Sequence, residues 1–328
     1  MKKVMLSLAT VAMAISSCTN QEVIDVPQSK AIGFSTYVGK STRADVTTDN
    51  ITEMYVYGQH GDVIDFDGGT TAKVTKENGT WTYSPLRYWV ADEIYYFAAT
   101  APMVSGATYT NGSLSFAYTV TDGETDLVTA ANAAVTASAS GNSAVDFTFK
   151  HALSKVQFTF NSEWDKNSTV TVSNVTLSNV KNEGTITTTA NSTQNWAATS
   201  GDATYTYASP TIPVNENNAV SVAADPIVKY LLPQTLTADA ITLTFTVTVE
   251  TEGVDAPKTK TRSVSLPVEI VSAWAEGNVY NYSLTINAAN VFEEQPIEFG
   301  TVTVDVWGNP TEAGDLTPDE GTAYDEAN

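Results

Sequence analysis

The sequence contains one cysteine and two histidines in 328 residues, so it lacks most of the side chains on which enzymes rely. A disulfide within the chain is impossible, and a cysteine and histidine zinc site or a Cys–His nucleophile pair is nearly excluded. No serine lies in a Gly-x-Ser-x-Gly elbow, and there is no glycine-rich phosphate loop. We therefore expect a protein that is not an enzyme, with no cofactor and no metal.

Basic side chains are also scarce. Lysine and arginine together number 16 against 37 acidic residues, which gives a net charge of −21. A nucleic acid partner needs many bases to neutralise its phosphates, so we expect none. No apolar run reaches the roughly 18 residues that a membrane-spanning helix requires.

The N-terminus is typical of a targeting segment. Two lysines precede the uncharged residues 4–15, and the run ends in Ile15-Ser16-Ser17-Cys18. This resembles a bacterial lipobox, in which Cys18 carries the lipid and becomes the first residue of the mature chain; ordinary secretory cleavage nearby is the alternative. We expect a lipoprotein signal peptide over 1–17 and a polar tether over 18–30.

Strand patterns follow one another through the rest of the chain. The clearest is 241–249, where five apolar residues alternate with threonine. This period of two predicts sheets with one buried and one wetted face, and hence an all-β protein. Asn-Gly and Asp-Gly turns separate the strands, and no amphipathic helix of ten or more residues is evident. The alanine-rich segment 125–139 could hold a short helix.

The composition also suggests a division into domains. Residues 130–142 are small and polar and resemble a connection, so we expect one β-sandwich over 31–143 and a second over 144–308. Residues 309–328 contain six acids and no base, and we expect this tail to be disordered.

Few polar residues suggest a chemical site. Asp62, Asp65 and Asp67 precede Gly68 in one loop, but their spacing is not that of an EF-hand, and a solvated acidic turn is favoured over a cation site. We expect His60 to be a surface residue. We expect His151 to pack or to form a hydrogen bond at a strand end.

Aromatic residues are concentrated between positions 81 and 97. Exposed aromatic rings could stack on sugars, which would make the protein a cell-surface glycan-binding lipoprotein. Burial in a sandwich core is the favoured interpretation, because large aromatic side chains dominate such cores. The residues in question are Trp81, Tyr83, Tyr88, Trp89, Tyr95, Tyr96 and Phe97.

Several short sequence motifs occur along the chain in the order in which a known family has them. They are Ser41-Thr42-Arg43-Ala44, Tyr95-Tyr96-Phe97-Ala98-Ala99 with Pro102, Phe149 to Val156, Tyr230-Leu231-Leu232-Pro233-Gln234, and Trp274 with Gly277, Tyr280 and Tyr282. Together with the lipobox they resemble the fimbrillin-like lipoproteins of Bacteroides and Porphyromonas, the type V pilus subunits.

This resemblance implies a fold and a function. The fold would be two tandem transthyretin-like Greek-key β-sandwich domains. The protein would be exported to the outer membrane as a lipoprotein, cut by a trypsin-like protease and polymerised by donor-strand exchange into an extracellular fimbrium. Its partners would be other fimbrial subunits, with host or bacterial surface molecules as adhesion ligands.

Two segments of this sequence suit such an exchange. Residues 32–38 alternate just before Arg43, so cleavage between Arg43 and Ala44 would remove residues 18–43 and open a groove that needs another strand. The second segment is a candidate donor strand over 297–307, which shifts phase at Gly300 and therefore predicts a bulge there. Its apolar residues are Ile297, Phe299, Val302, Val304 and Val306. The alternative is that both segments are ordinary sheet members and Arg43 lies in a surface loop.

One feature departs from the family pattern. In polymerising subunits we expect the donor strand close to the C-terminus, whereas an acidic tail of about twenty residues follows Trp307 here. The tail is compatible with a stalk subunit, in which it trails outward, and with a minor or terminal subunit at the tip or the anchor.

Overall fold

The computed structural model describes residues 30–38, 46–47, 50–216, 219–238, 240–293 and 295–307. Strands dominate: 55% of the structure is strand and 4% is helix. Among the described residues the longest helix, α1, covers only Ala288–Phe292, and two short 3-10 turns cover Thr70–Ala72 and Ala190–Ser192. The prediction of an all-β protein is confirmed.

The strands are, in chain order, β1 (Phe34–Val38), β2 (Glu53–His60), β3 (Val63–Asp67), β4 (Lys73–Glu77), β5 (Thr80–Thr82), β6 (Ile94–Ala101), β7 (Thr108–Thr110), β8 (Ser113–Thr119), β9 (Val128–Ala131), β10 (Val135–Thr136), β11 (Val145–His151), β12 (Ser154–Ser162), β13 (Ser168–Val180), β14 (Glu183–Thr189), β15 (Thr193–Ser200), β16 (Ala203–Thr206), β17 (Val222–Ala223), β18 (Ile227–Leu231), β19 (Gln234–Thr235), β20 (Thr242–Thr251), β21 (Lys258–Ser265), β22 (Ala273–Trp274), β23 (Asn278–Ile286) and β24 (Phe299–Val306).

The first and largest sheet has the order β1-β11-β9-β6-β2-β4-β5, with β3 paired to β2 and β10 paired to β6. Its pairs are antiparallel except for β1, which runs parallel to β11. One apolar core lies against this sheet and is rich in aromatic rings, among them Phe34, Phe97 and Phe147. The sheet therefore buries the aromatic cluster of the first half of the chain.

The remaining strands surround a second, larger core. One sheet has the order β17-β12-β23-β24 with β18 also on β12, and another has the order β16-β13-β20-β21. Phe160 of β12 and Phe245 of β20 meet edge to face, with ring centroids 5.1 Å apart. The side chains that alternate inward along these strands form this core.

The division between the two cores does not follow the predicted domain boundary at 143/144. The inward-facing residues Val145, Phe147 and Phe149 of β11 belong to the first core, whereas Ala152 and Leu153, directly after β11, belong to the second. Pairing with β1 and β9 holds β11 in the first sheet. In addition, β8 from the first half pairs with β14 from the second half in the sheet β15-β14-β8-β7.

The segment 125–139 contains two strands and no helix, which corrects the expectation of a short one. β9 pairs with β6 through Ala98 to Ala101, and β10 pairs with the start of the same strand. The small side chains of Ala130 and Ala131 are fully buried. Tertiary pairing has thus overridden the helix preference of alanine.

The alternation of β20 is as predicted. Its odd-numbered residues from Leu243 to Val249 are buried, and the threonines between them lie on the outer face. There the hydroxyl groups of Thr244, Thr246 and Thr248 form hydrogen bonds of 2.9–3.0 Å with the hydroxyls of the neighbouring strand β21. One face of β20 therefore packs in the core, and the other forms hydroxyl hydrogen bonds with β21.

A matched pair of substitutions in β20 tests this division. Phe245→Ala should lower the free energy of unfolding by about 3–5 kcal/mol, because it removes a fully buried ring and leaves a cavity. Thr244→Ala, one residue away on the outer face, should cost less than about 1 kcal/mol. Urea unfolding at neutral pH measures both values, and equal losses would contradict the assignment of the faces.

Candidate functional site

The N-terminal strand β1 lies at the edge of the first sheet. It pairs only with β11 among the described strands, from Phe34 opposite Val145 to Val38 opposite Phe149. Phe34 and Val38 are buried, and the ring of Phe34 stacks on that of Phe147 with centroids 5.8 Å apart. The strand is thus bound by one row of backbone hydrogen bonds and by the side chains that face the core.

The segment before β1 is also held in place. Ile32 is buried, and its carbonyl oxygen accepts a hydrogen bond of 2.7 Å from the hydroxyl of Tyr83. Its backbone N–H donates to the carbonyl of Arg87 at 2.9 Å. The expected alternation of apolar residues over 32–38 is therefore present, with Ile32, Phe34 and Val38 in the core.

The C-terminal strand β24 lies at the edge of another sheet. It runs antiparallel to β23, and the register shifts between the pairs Tyr282–Val302 and Leu284–Phe299. This places the predicted bulge at Gly300. Ile297 is buried, and Phe299 and Val302 pack partly against the larger core.

The outer half of β24 is far less covered. Val304 is 49% exposed and Val306 is 59% exposed, although both are apolar. The five apolar residues of the candidate donor strand therefore form two groups. Ile297, Phe299 and Val302 pack against the core of their own chain, and Val304 and Val306 face solvent.

The end of β24 is fixed by an aromatic stack, which we call the tryptophan clasp: Trp307, His151, Tyr230 and Asp126. The ring of Trp307 stacks on those of His151 and Tyr230, with centroids 3.8 and 5.4 Å away, and both rings are nearly parallel to it. The backbone N–H of Trp307 donates to the carbonyl of Gly277. The clasp holds the last described residue of the chain against the second core.

Within the clasp, His151 and Asp126 form a buried polar pair. Nδ1 of His151 lies 2.9 Å from Oδ2 of Asp126, and both side chains are almost fully buried. The same carboxylate oxygen accepts a hydrogen bond from the backbone N–H of Val46. Burial raises the pKa of the neighbouring Tyr118 to about 12, and the charge of Asp126 adds to the shift. The prediction that His151 forms a hydrogen bond at a strand end is confirmed.

A cavity of about 490 Å³ lies where the ends of β1 and β24 approach each other. We call it the junction cavity. Its wall includes Tyr37 of β1, Lys150 and His151 of β11, Gln194 of β15, Glu276 in the turn before β23, and Asn278 at the start of β23. Both candidate exchange strands therefore line this cavity, β1 through Tyr37 and β24 through Val306.

Other candidate residues lie outside the described part of the chain. These are Cys18, Arg43 and Ala44, together with residues 1–29 and the acidic tail 309–328. The expectations for lipidation, cleavage and tail disorder therefore stay predictions. In the described residues, no helix is long and apolar enough to cross a membrane.

The acidic loop of β3 forms local contacts. Asp65 lies 2.7 Å from Nδ1 of His60, and Asp67 accepts a hydrogen bond from the backbone N–H of Gly69. His60 is only 13% exposed, so the expectation of a surface histidine was wrong, because the ring packs against Tyr95. Among the described residues, no three acidic, histidine or cysteine side chains are placed to bind a metal ion.

The aromatic cluster is mostly part of the first core. Trp89, Tyr95 and Phe97 are buried and contact one another with ring centroids 4.8–5.8 Å apart. Trp81 is partly exposed, and Tyr88 is 50% exposed. The core interpretation is confirmed for Trp89, Tyr95 and Phe97, whereas Tyr83 and Tyr96 are also only partly buried.

The described chain is therefore an all-β protein with an open edge strand near each end. A sequence model of the fimbrillin-like family matches residues 42–307, about four-fifths of the chain. The chain belongs to the fimbrillin-like family. None of the curated proteins matches it.

Solved structures that are similar to this chain come from Bacteroides, Parabacteroides and Porphyromonas species. A candidate cell adhesion protein from Bacteroides uniformis is 19% identical with a TM-score of 0.50, and the match covers 84% of this chain and 98% of that one. A fimbrial assembly protein from Parabacteroides distasonis is 12% identical with a TM-score of 0.39, covering 84% and 99%. The fimbrial anchor protein Mfa2 from Porphyromonas gingivalis is 11% identical with a TM-score of 0.36, covering 85% and 98%.

The clasp can be tested by hydrogen exchange. Trp307→Ala removes a buried ring that stacks on two others, so the amides of β24 should exchange at least about tenfold faster, while those of β20 should exchange at the wild-type rate. Val306→Ala, at a half-exposed neighbour, should leave exchange nearly unchanged. Equal exchange of β24 in the two variants would show that the clasp does not hold the strand.

Proposed function

We propose that the protein is a structural, non-catalytic subunit of a fimbria at the cell surface. Membership in the fimbrillin-like family supports this function. The observation that carries it is the position of β1, an N-terminal edge strand that fills an apolar slot and precedes Arg43 by five residues. We also propose that the two cores belong to two tandem transthyretin-like Greek-key sandwiches.

The proposed maturation begins at the membrane. Cys18 carries the lipid that anchors the precursor to the outer membrane, and a trypsin-like protease then cuts between Arg43 and Ala44. The cut separates β1 from the rest of the chain. Ile32, Phe34 and Val38 each contribute about 1.5–3 kcal/mol by burial, so the slot that β1 leaves remains strongly apolar.

Loss of β1 would leave β11 as an open edge. Its backbone groups and the slot beside Phe147 would then accept a strand from another subunit, because unpaired strand edges template further pairing. We propose that residues 297–307 of a second copy or a related subunit supply that strand. The exposed Val304 and Val306 support this assignment, since two apolar side chains on an edge strand gain burial only from a partner.

Cleavage at Arg43 is tested by substitution and fractionation. Arg43→Ala should keep the protein in the detergent phase as an uncleaved monomer with unchanged thermal unfolding. Arg43→Lys is the matched control, because a trypsin-like protease accepts either base, and it should restore cleavage and release. Filaments formed by Arg43→Ala, seen by electron microscopy, would rule out this maturation route.

The donor strand is tested with a charge on either face of β24. Val304→Asp should abolish filament formation, because it places an unpaired charge in the apolar slot. The exposed position of Val304 should keep the monomer folded, which urea unfolding verifies. Thr303→Asp adds the same charge on the other face and should leave polymerisation intact, as should truncation after Trp307. Normal filaments from Val304→Asp would exclude this strand as the donor.

A further inference from the structure

Around the junction cavity, more hydrogen-bond donors than acceptors are already engaged by the protein, and Gln194 shows this. The side-chain nitrogen of Gln194 donates to the hydroxyl of Thr129 at 2.8 Å and to the carbonyl of Lys150 at 3.0 Å. Because a carbonyl can only accept, the amide of Gln194 must present its nitrogen there. Its oxygen Oε1 accepts no hydrogen bond from the described residues and is left for a ligand.

The donors of Asn278 and Ser192 are likewise engaged, while nearby acceptors are not. The side-chain nitrogen of Asn278 contacts the hydroxyl of Tyr280 at 3.4 Å, and the hydroxyl of Ser192 donates to the carbonyl of Thr148 at 2.7 Å. In the described structure, no hydrogen bond reaches the carboxylate of Glu276 or Oδ1 of Asn278. The wall thus presents acceptors, since most of its donors are already engaged.

His151 adds a buried polar atom without a partner. Its Nδ1 faces the carboxylate of Asp126, so this nitrogen carries a proton. Nε2 is buried and has no hydrogen-bond partner among the described residues. A buried polar atom without a partner is costly, so a ligand hydroxyl at this wall, which can donate or accept, would relieve the cost.

The charges at the cavity wall offset each other. Lys150 and Glu276 both belong to the wall and are of opposite sign, so together they favour neither a cation nor an anion. Lys150 also keeps two protons for a ligand, because within the described residues its ammonium group donates to the carbonyl of Asn191 alone.

These conditions suit a neutral molecule with many hydroxyl groups. Each hydroxyl can donate to the oxygens of Gln194, Asn278 or Glu276 and can accept from Lys150. Tyr37 is 42% exposed and offers an aromatic ring beside these groups. The volume of about 490 Å³ lies within the range of small-molecule sites. We propose that the junction cavity binds a neutral saccharide of one or two rings.

The site differs from the aromatic cluster at 81–97 in position and in chemistry. It is present in the uncleaved monomer, and its occupancy requires neither cleavage nor polymerisation. Saccharide binding can therefore succeed or fail independently of the proposed fimbrial function.

The test uses the full chain as an uncleaved monomer. The probes are the methyl glycosides of glucose, galactose, mannose and N-acetylglucosamine and their β-linked disaccharides. Saturation-transfer difference NMR detects contact, and calorimetric titration measures affinity. At least one probe should bind, and Glu276→Ala and Asn278→Ala should each weaken it by about tenfold, since each removes a hydrogen-bond acceptor.

Controls separate the site from general effects. Glu250→Ala removes an exposed carboxylate on β20 that does not line the junction cavity, and it should leave affinity unchanged. Circular dichroism and thermal unfolding confirm that each variant is folded. Absence of binding by every neutral probe would overturn the proposal. So would equal affinity in wild type, Glu276→Ala and Asn278→Ala, or tighter binding of sulfated sugars or of ethylammonium than of any neutral sugar.

Discussion

The pairing of β8 with β14 is the constraint on which the arrangement of the two cores depends. Six residue pairs join a strand from the first half of the chain to one from the second half. Phe116 of β8 and Ile186 of β14 are opposite each other in this ladder, and both are buried in the larger core. β15 of the same sheet contributes Gln194 to the wall of the junction cavity between β1 and β24.

Much of the fold could be predicted from the sequence, because alternation is a local signal. The period of two in β20 and in residues 32–38 identified which side chains are buried. Partner choice is not local, and there the sequence was insufficient. The small, polar stretch 130–142 looked like a boundary, yet β11 after it completes the first sheet by pairing with β1 and β9.

The candidate site shows the same division. The two edge strands and the bulge at Gly300 were visible in the sequence as alternation and its interruption. Asp126 gave no signal as the partner of His151, because the two residues are 25 positions apart and lie in different patterns. The junction cavity had no sequence signature either, since β1, β11, β15, the turn before β23 and the end of β24 each contribute to it.

The parallel pairing of β1 has a consequence for the order of folding. β1 must wait for β11, whose residues follow it by 111 positions, and closing so long a loop costs entropy before any contact forms. β9 and β11 are antiparallel neighbours within a short stretch of chain and can pair earlier. β1, the first of the described strands to be synthesised, is thus among the last that can dock, and its departure leaves the ladder between β9 and β11 unbroken.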